Sequence, residues 1–356
     1  MRFRFPLATL RAASRAVPPH AARERLTAVC LFLALATAPA FAQGGDQPAR
    51  PILSIGNYPN VNGLRLNFRD SDLGRVNGMN VTAWTPYEPM SGTVNGVALG
   101  VPVTGANDIN GLALGALGIG AGHDITGITL GGLGAGAGGK VKGIGFGGLG
   151  LGAGGSLEGI MIGGIGVGGG GNAKGLLAGG IGAGVGGDID GIALGGIGAG
   201  VGGRMTGLAV GGIGVGAGGS AKGVMVGGVG VGAGGRIDGL ALGGVGVGAG
   251  DRIHGIAIAG VGVGSPRLEG GFAALFVGAK DARALVIAPA QFRIEEGRFA
   301  GVSIATSNYI KGSQHGLTIG IVNYARTLQG VQVGIINIVA DATRHPILPL
   351  LNWGSR

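Results

Sequence analysis

The sequence predicts an all-β protein built as a β-solenoid of short, glycine-rich coils. Three observations lead there: a unit of 16 residues repeats in tandem, aliphatic residues within it are spaced by two, and paired glycines interrupt that spacing. The chain has 356 residues, 87 of them glycine and 14 proline. In an aperiodic chain that share would indicate low complexity without a core. Here the period decides, because aliphatic residues at fixed offsets can bury a regular interior.

Residues 1–42 read as a secretory signal with a long basic leader. Arg2, Arg4, Arg11, Arg15, Arg23 and Arg25 precede the apolar run Leu26 to Ala38, and Ala40-Phe41-Ala42 gives the small-x-small pattern of a cleavage site before Gln43. The apolar run is short for a membrane span of about 20 residues. The six arginines against Glu24 account for +5 of the chain's +9, so cleavage leaves about +4 and little electrostatic basis for nucleic-acid binding. Cys30 is the only cysteine and lies in the apolar run. The mature chain is therefore expected to have no disulfide, thiol nucleophile or cysteine metal site.

Residues 43–107 hold looser copies of a Gly-apolar-x-apolar core, at Gly63-Leu64-Arg65-Leu66, Gly78-Met79-Asn80-Val81 and Gly96-Val97-Ala98-Leu99, together with Tyr58, Trp84 and Tyr87. They are expected to be divergent coils or a cap. Residues 108–265 form the regular array, with units beginning at Asp108, Asp124, Lys140, Ser156, Asn172, Asp188, Arg204, Ser220, Arg236 and Arg252. Phe146 is the only aromatic residue between 108 and 264. Residues 266–356 are again divergent and richer in aromatics, as a second cap would be, since terminal repeats of a solenoid must differ from the interior ones.

In the unit Asp188 to Gly203 the aliphatic residues are Ile189, Ile192, Leu194, Ile197, Ala199 and Val201. Turning the chain at Asp190-Gly191 and at Gly195-Gly196 would point all six inward, giving two short strands per coil with glycine corners that permit positive φ. Leu194 and Ile197 are then interior residues. Gly198 and Gly200 would leave the outer side of the second strand nearly bare, a face suited to close packing and to self-association. One coil cannot stand alone, so neighbouring coils must supply the contacts that hold it. The rival architecture is an antiparallel outer-membrane β-barrel with one strand per unit. It is disfavoured by the register slips, the lack of aromatic girdles and the identical connections.

No motif for chemistry emerges. Gly-Gly-Ile-Gly-Ala-Gly resembles dinucleotide and calcium-repeat strings, but no strand and helix alternation surrounds it and no ligating aspartate follows. His123, His254, His315 and His345 have no metal-type partner at short spacing. The first and third positions of each unit carry polar residues of mixed sign, among them Lys142, Glu158, Lys174, Asp190 and Asp238, which read as a solvated edge. The expectation is no catalytic, cofactor-binding or metal-ligating residue and no enzyme activity.

The Asn-Gly-aliphatic copies, Gly316 to Ala325 (GLTIGIVNYA), Gly330 to Val339 (GVQVGIINIV) and the ending Leu348 to Trp353 (LPLLNW) resemble an uncharacterised family of surface repeat-containing proteins of Gram-negative bacteria. The resemblance implies export to the cell envelope, the outer-membrane surface or the medium, and brings no catalytic residues. The partner it implies is an unidentified envelope or surface component.

Overall fold

The structure, a computed structural model, describes residues 52–343 and 345–354. The signal sequence lies outside them. The described chain is a β-solenoid: every strand pair from Leu53 to Ile310 is parallel, and equivalent residues of successive units stand opposite each other. An antiparallel barrel with one strand per unit is not what the chain forms.

Each regular unit makes a long strand and a short one. In the unit from Asp188 these are Ile189–Gly195 and Gly198–Val201. The long strand lies between Ala173–Gly179 and Met205–Gly211, with Ile189 opposite both Ala173 and Met205. The short strand lies between Gly182–Val185 and Gly214–Ala217. Corners join the ladders rather than interrupting them. The Ile197 amide donates to the Ile181 carbonyl at 2.7 Å, and the Gly203 amide to the Gly187 carbonyl at 2.9 Å, so corner backbone groups are satisfied by the neighbouring coil.

The interior differs from the expectation in a way that packing explains. Ile189, Ala193, Ala199 and Val201 are buried, whereas Ile192 and Ile197 are exposed and Leu194 is partly exposed. The long strand alternates without a slip: Ile189, Gly191, Ala193 and Gly195 lie on the inner side, Asp190, Ile192 and Leu194 on the outer. A coil this narrow has room inside for alanine between its two walls, and the larger side chains are forced outward. The assignment of Leu194 and Ile197 to the interior is thus overturned.

The corner glycines are also used differently. Gly195 and Gly196 do not have positive φ; a Cβ on Gly195 would overlap the Gly198 carbonyl oxygen and one on Gly196 the Gly180 carbonyl oxygen, so space excludes a side chain. Positive φ belongs instead to Gly191 (φ 143) and its counterparts, which stack in one column from Gly63 to Gly330.

Toward both ends the apolar interior gives way to polar networks. Arg65 is fully buried and pairs with Asp70, which also accepts from Asn80 and Thr82. Near the other end Asn308 donates to Asn323 at 2.8 Å and Asn323 to Asn337 at 2.7 Å, forming an inward ladder, with Gln332 donating to Gln314 at 2.9 Å beside it. Asn337 in turn donates to the carbonyl of Leu348 at 3.2 Å. That residue belongs to the final strand Ile347–Gly354, which runs antiparallel to Gly330–Ile338 and closes the last coil.

Candidate interaction surface

Because the same residue types recur at the same position of each coil, the outer surface is made of columns. Four of them are distinct.

The first is the third position of each unit, on the outer side of the long strand. Asn62, Asn77, Asn95 and Asn110 begin it as a hydrogen-bonded ladder, with Asn77 donating to Asn62 at 2.8 Å and Asn110 to Asn95 at 3.0 Å. Charges then follow in the order Lys142, Glu158, Lys174, Asp190, Thr206, Lys222, Asp238, His254 and Glu269, each opposite the next. No two adjacent members are both acidic or both lysine, which avoids like-charge contacts at strand spacing. The pairs are loose and exposed, for example Lys142 to Glu158 at 3.5 Å, so each adds little stability.

The first position of each unit has a structural task. Its side-chain oxygens accept the amide of the equivalent residue one coil on, as Asp188 does from Arg204 at 2.6 Å and Asn172 from Asp188 at 2.8 Å. Asp, Asn and Ser suit this because their short side chains reach a neighbouring backbone N–H.

The second surface is apolar. Ile192 and Leu194 and their counterparts stand in rows on the outer side, and beyond the glycine corner a ridge runs from Leu117 to Leu275, eleven residues between 43% and 54% exposed. Between these rows lies an open groove floored by pairs such as Gly179-Gly180 and Gly195-Gly196 and walled by Ile162, Ala178, Leu194 and Val210. It continues past Leu242-Gly243-Gly244. A contiguous apolar stripe of this length exceeds what an isolated soluble protein ordinarily leaves in water.

The third surface is the outer side of the short strand, where the glycines have no steric cause within the chain. A Cβ on Gly198 would meet nothing closer than 3.5 Å, and one on Gly200, Gly216 or Gly232 nothing within 4 Å. None of these has positive φ. Glycine weakens a strand relative to alanine by about 0.5–1 kcal/mol, yet both outward positions are glycine in every unit from Gly118 to Gly264. At its N-terminal end this plane is covered: Met90 lies over it so that a Cβ on Gly105 would be 2.7 Å from Met90 Sδ and one on Gly120 3.2 Å from Met90 Cε.

The ends carry the aromatics. Phe68 and Trp84 are parallel within 3° at 6.5 Å, and the Arg69 guanidinium lies 3.6 Å from the Tyr87 ring centre. Toward the C-terminus Tyr309 stacks on Tyr324 at 4.8 Å, while Lys311 and Arg293, both bonded to Glu295, hold its carboxyl below the usual range.

Among the histidines, His254 contacts Glu269 at 3.1 Å and His123 lies 3.9 Å from Asp108. Among the described residues no three His, Cys, Asp or Glu side chains are grouped to hold a metal ion. Sequence reasoning missed the inward ladder of Asn308, Asn323 and Asn337 and the buried Arg65. The asparagines recur at spacings close to the coil length, which was the available signal. No protein-family model, curated protein or solved structure matches the chain.

Proposed function

We propose that the protein is an exported, non-catalytic rod of the cell envelope or cell surface that acts through its long repetitive sides. The observation that carries this reading is the uncovered apolar stripe beside the glycine plane, repeated with the coil from Leu117 to Leu275. Repetition gives a surface of many equal contacts, which suits a structural or binding role. A reaction centre instead needs a few residues set apart from their neighbours. The basic leader and Ala40-Phe41-Ala42 support export, as does the resemblance of the repeats to surface proteins of Gram-negative bacteria.

Fractionation of producing cells tests the location. The expected result is protein beginning at Gln43 in the envelope or the medium. Recovery of the chain in the cytosol with residues 1–42 still attached overturns the reading.

A further inference from the structure

We infer that the glycine plane and the apolar ridge beside it are the two halves of one self-complementary interface, and that the partner is a second copy of this chain. The plane lacks side chains although the fold leaves room for them at Gly200, Gly216 and Gly232, so its flatness answers to something outside the coil. The chain itself shows what such a plane accepts. Met90 lays an apolar side chain on Gly105 and Gly120 and covers the plane's first two coils, while the coils from Gly134 onward are bare.

The matching side chains stand immediately next to the plane. Ile197 is half exposed at the corner that leads into Gly198 and Gly200, and the same arrangement recurs in each unit. A two-fold axis parallel to the rod, placed between ridge and plane, lays the ridge of each copy on the plane of the other. Both N-termini then lie at one end, and every coil meets its own equivalent, because the two rods share one rise of about 4.8 Å. A Cβ on the plane would hold the ridge away, which accounts for glycine at both outward positions.

Area and charge favour this partner. Nine coils from Gly134 to Gly264 give a contact roughly 40 Å long and about 15 Å wide, about 600 Å² per copy, within the lower range of stable interfaces. A lipid surface fits less well. From Lys142 to Arg283 the charged column holds four cations, Lys142, Lys174, Lys222 and Arg283, against Glu158, Asp190, Asp238 and Glu269, so no basic rim faces anionic headgroups.

The inference concerns the purified molecule and does not depend on where the cell places it. Sedimentation equilibrium at micromolar concentration should give twice the chain mass. The variant Gly200→Thr/Gly216→Thr/Gly232→Thr should fold at least as well, since threonine favours strands, and should sediment as a monomer. A second variant, Ile197→Gln/Ile213→Gln/Val229→Gln, attacks the other half and should also be monomeric. A cysteine introduced at Gly246 should cross-link two copies, as only a parallel pair brings that end of each array together. A monomeric wild type, dimers that survive both triple substitutions, no cross-link at position 246, or binding of the wild type to phosphatidylcholine vesicles as a monomer would each overturn the proposal.

Discussion

Gly191 sits directly on Gly175, with no room for a Cβ between its Cα and the Gly175 carbonyl oxygen. The contact repeats along the column, and its members combine two demands that only glycine meets, a positive φ and a backbone within touching distance.

Gly191→Ala is therefore expected to destabilise the protein strongly. The φ of 143° alone costs about 1–3 kcal/mol for a residue with a side chain, and the collision adds to it. Gly200→Ala, in the plane, is expected to be neutral or stabilising because its Cβ meets nothing. Urea unfolding midpoints of the two variants compare them directly, and equal midpoints would refute the distinction.

The corrected interior gives a second contrast. Ala193→Asp places a charge between the two walls of the coil, where it has no partner, and should cost several kcal/mol or prevent folding. Leu194→Asp, one residue away on the outer side, should change stability by about 1 kcal/mol or less. Denaturant melts of both decide it; a larger loss at Leu194 than at Ala193 would restore the inward assignment.

The asparagine ladder should behave as one network. Asn323→Leu strips Asn308 of an acceptor and Asn337 of a donor, and each buried group left unpaired costs about 1–3 kcal/mol. Adding Asn308→Leu should then cost less than it does alone, since its partner is already gone. Additive losses in a double-mutant cycle of thermal stabilities would show the contacts to be independent.

Removal of whole coils tests the register. Deleting Asp188 to Gly203 joins Gly187 to Arg204 and sets Ala173–Gly179 against Met205–Gly211, like upon like. The shortened protein should fold. Deleting only Asp188 to Gly195 leaves half a coil and should abolish the cooperative transition seen by circular dichroism. Failure of the one-coil deletion together with rescue by a two-coil deletion would indicate alternating strands.

The coil and its register were legible in the sequence because a period of 16 with glycines in phase leaves few ways to stack, and the parallel ladders follow it residue for residue. What faces inward was not. Hydropathy ranks Ile192, Leu194 and Ile197 above Ala193, but the interior is selected by volume, and in so thin a coil alanine fits where isoleucine does not. Gly191 was read as a register slip when it is a left-handed residue within a regular strand. The polar networks around Arg65 and Asn323 were hidden because their partners lie one coil away, a distance visible only once the stacking is known.

Inter-coil hydrogen bonds point along the rod, so tension between its ends does not shear a whole sheet at once. It peels one coil at a time, loading few bonds in each event and yielding at low force over a long extension. At the C-terminal end peeling must first strip the antiparallel strand Ile347–Gly354 from Gly330–Ile338. That strand makes the final coil the latch of the rod, and the mechanical strength of the molecule is set there rather than by the number of repeats.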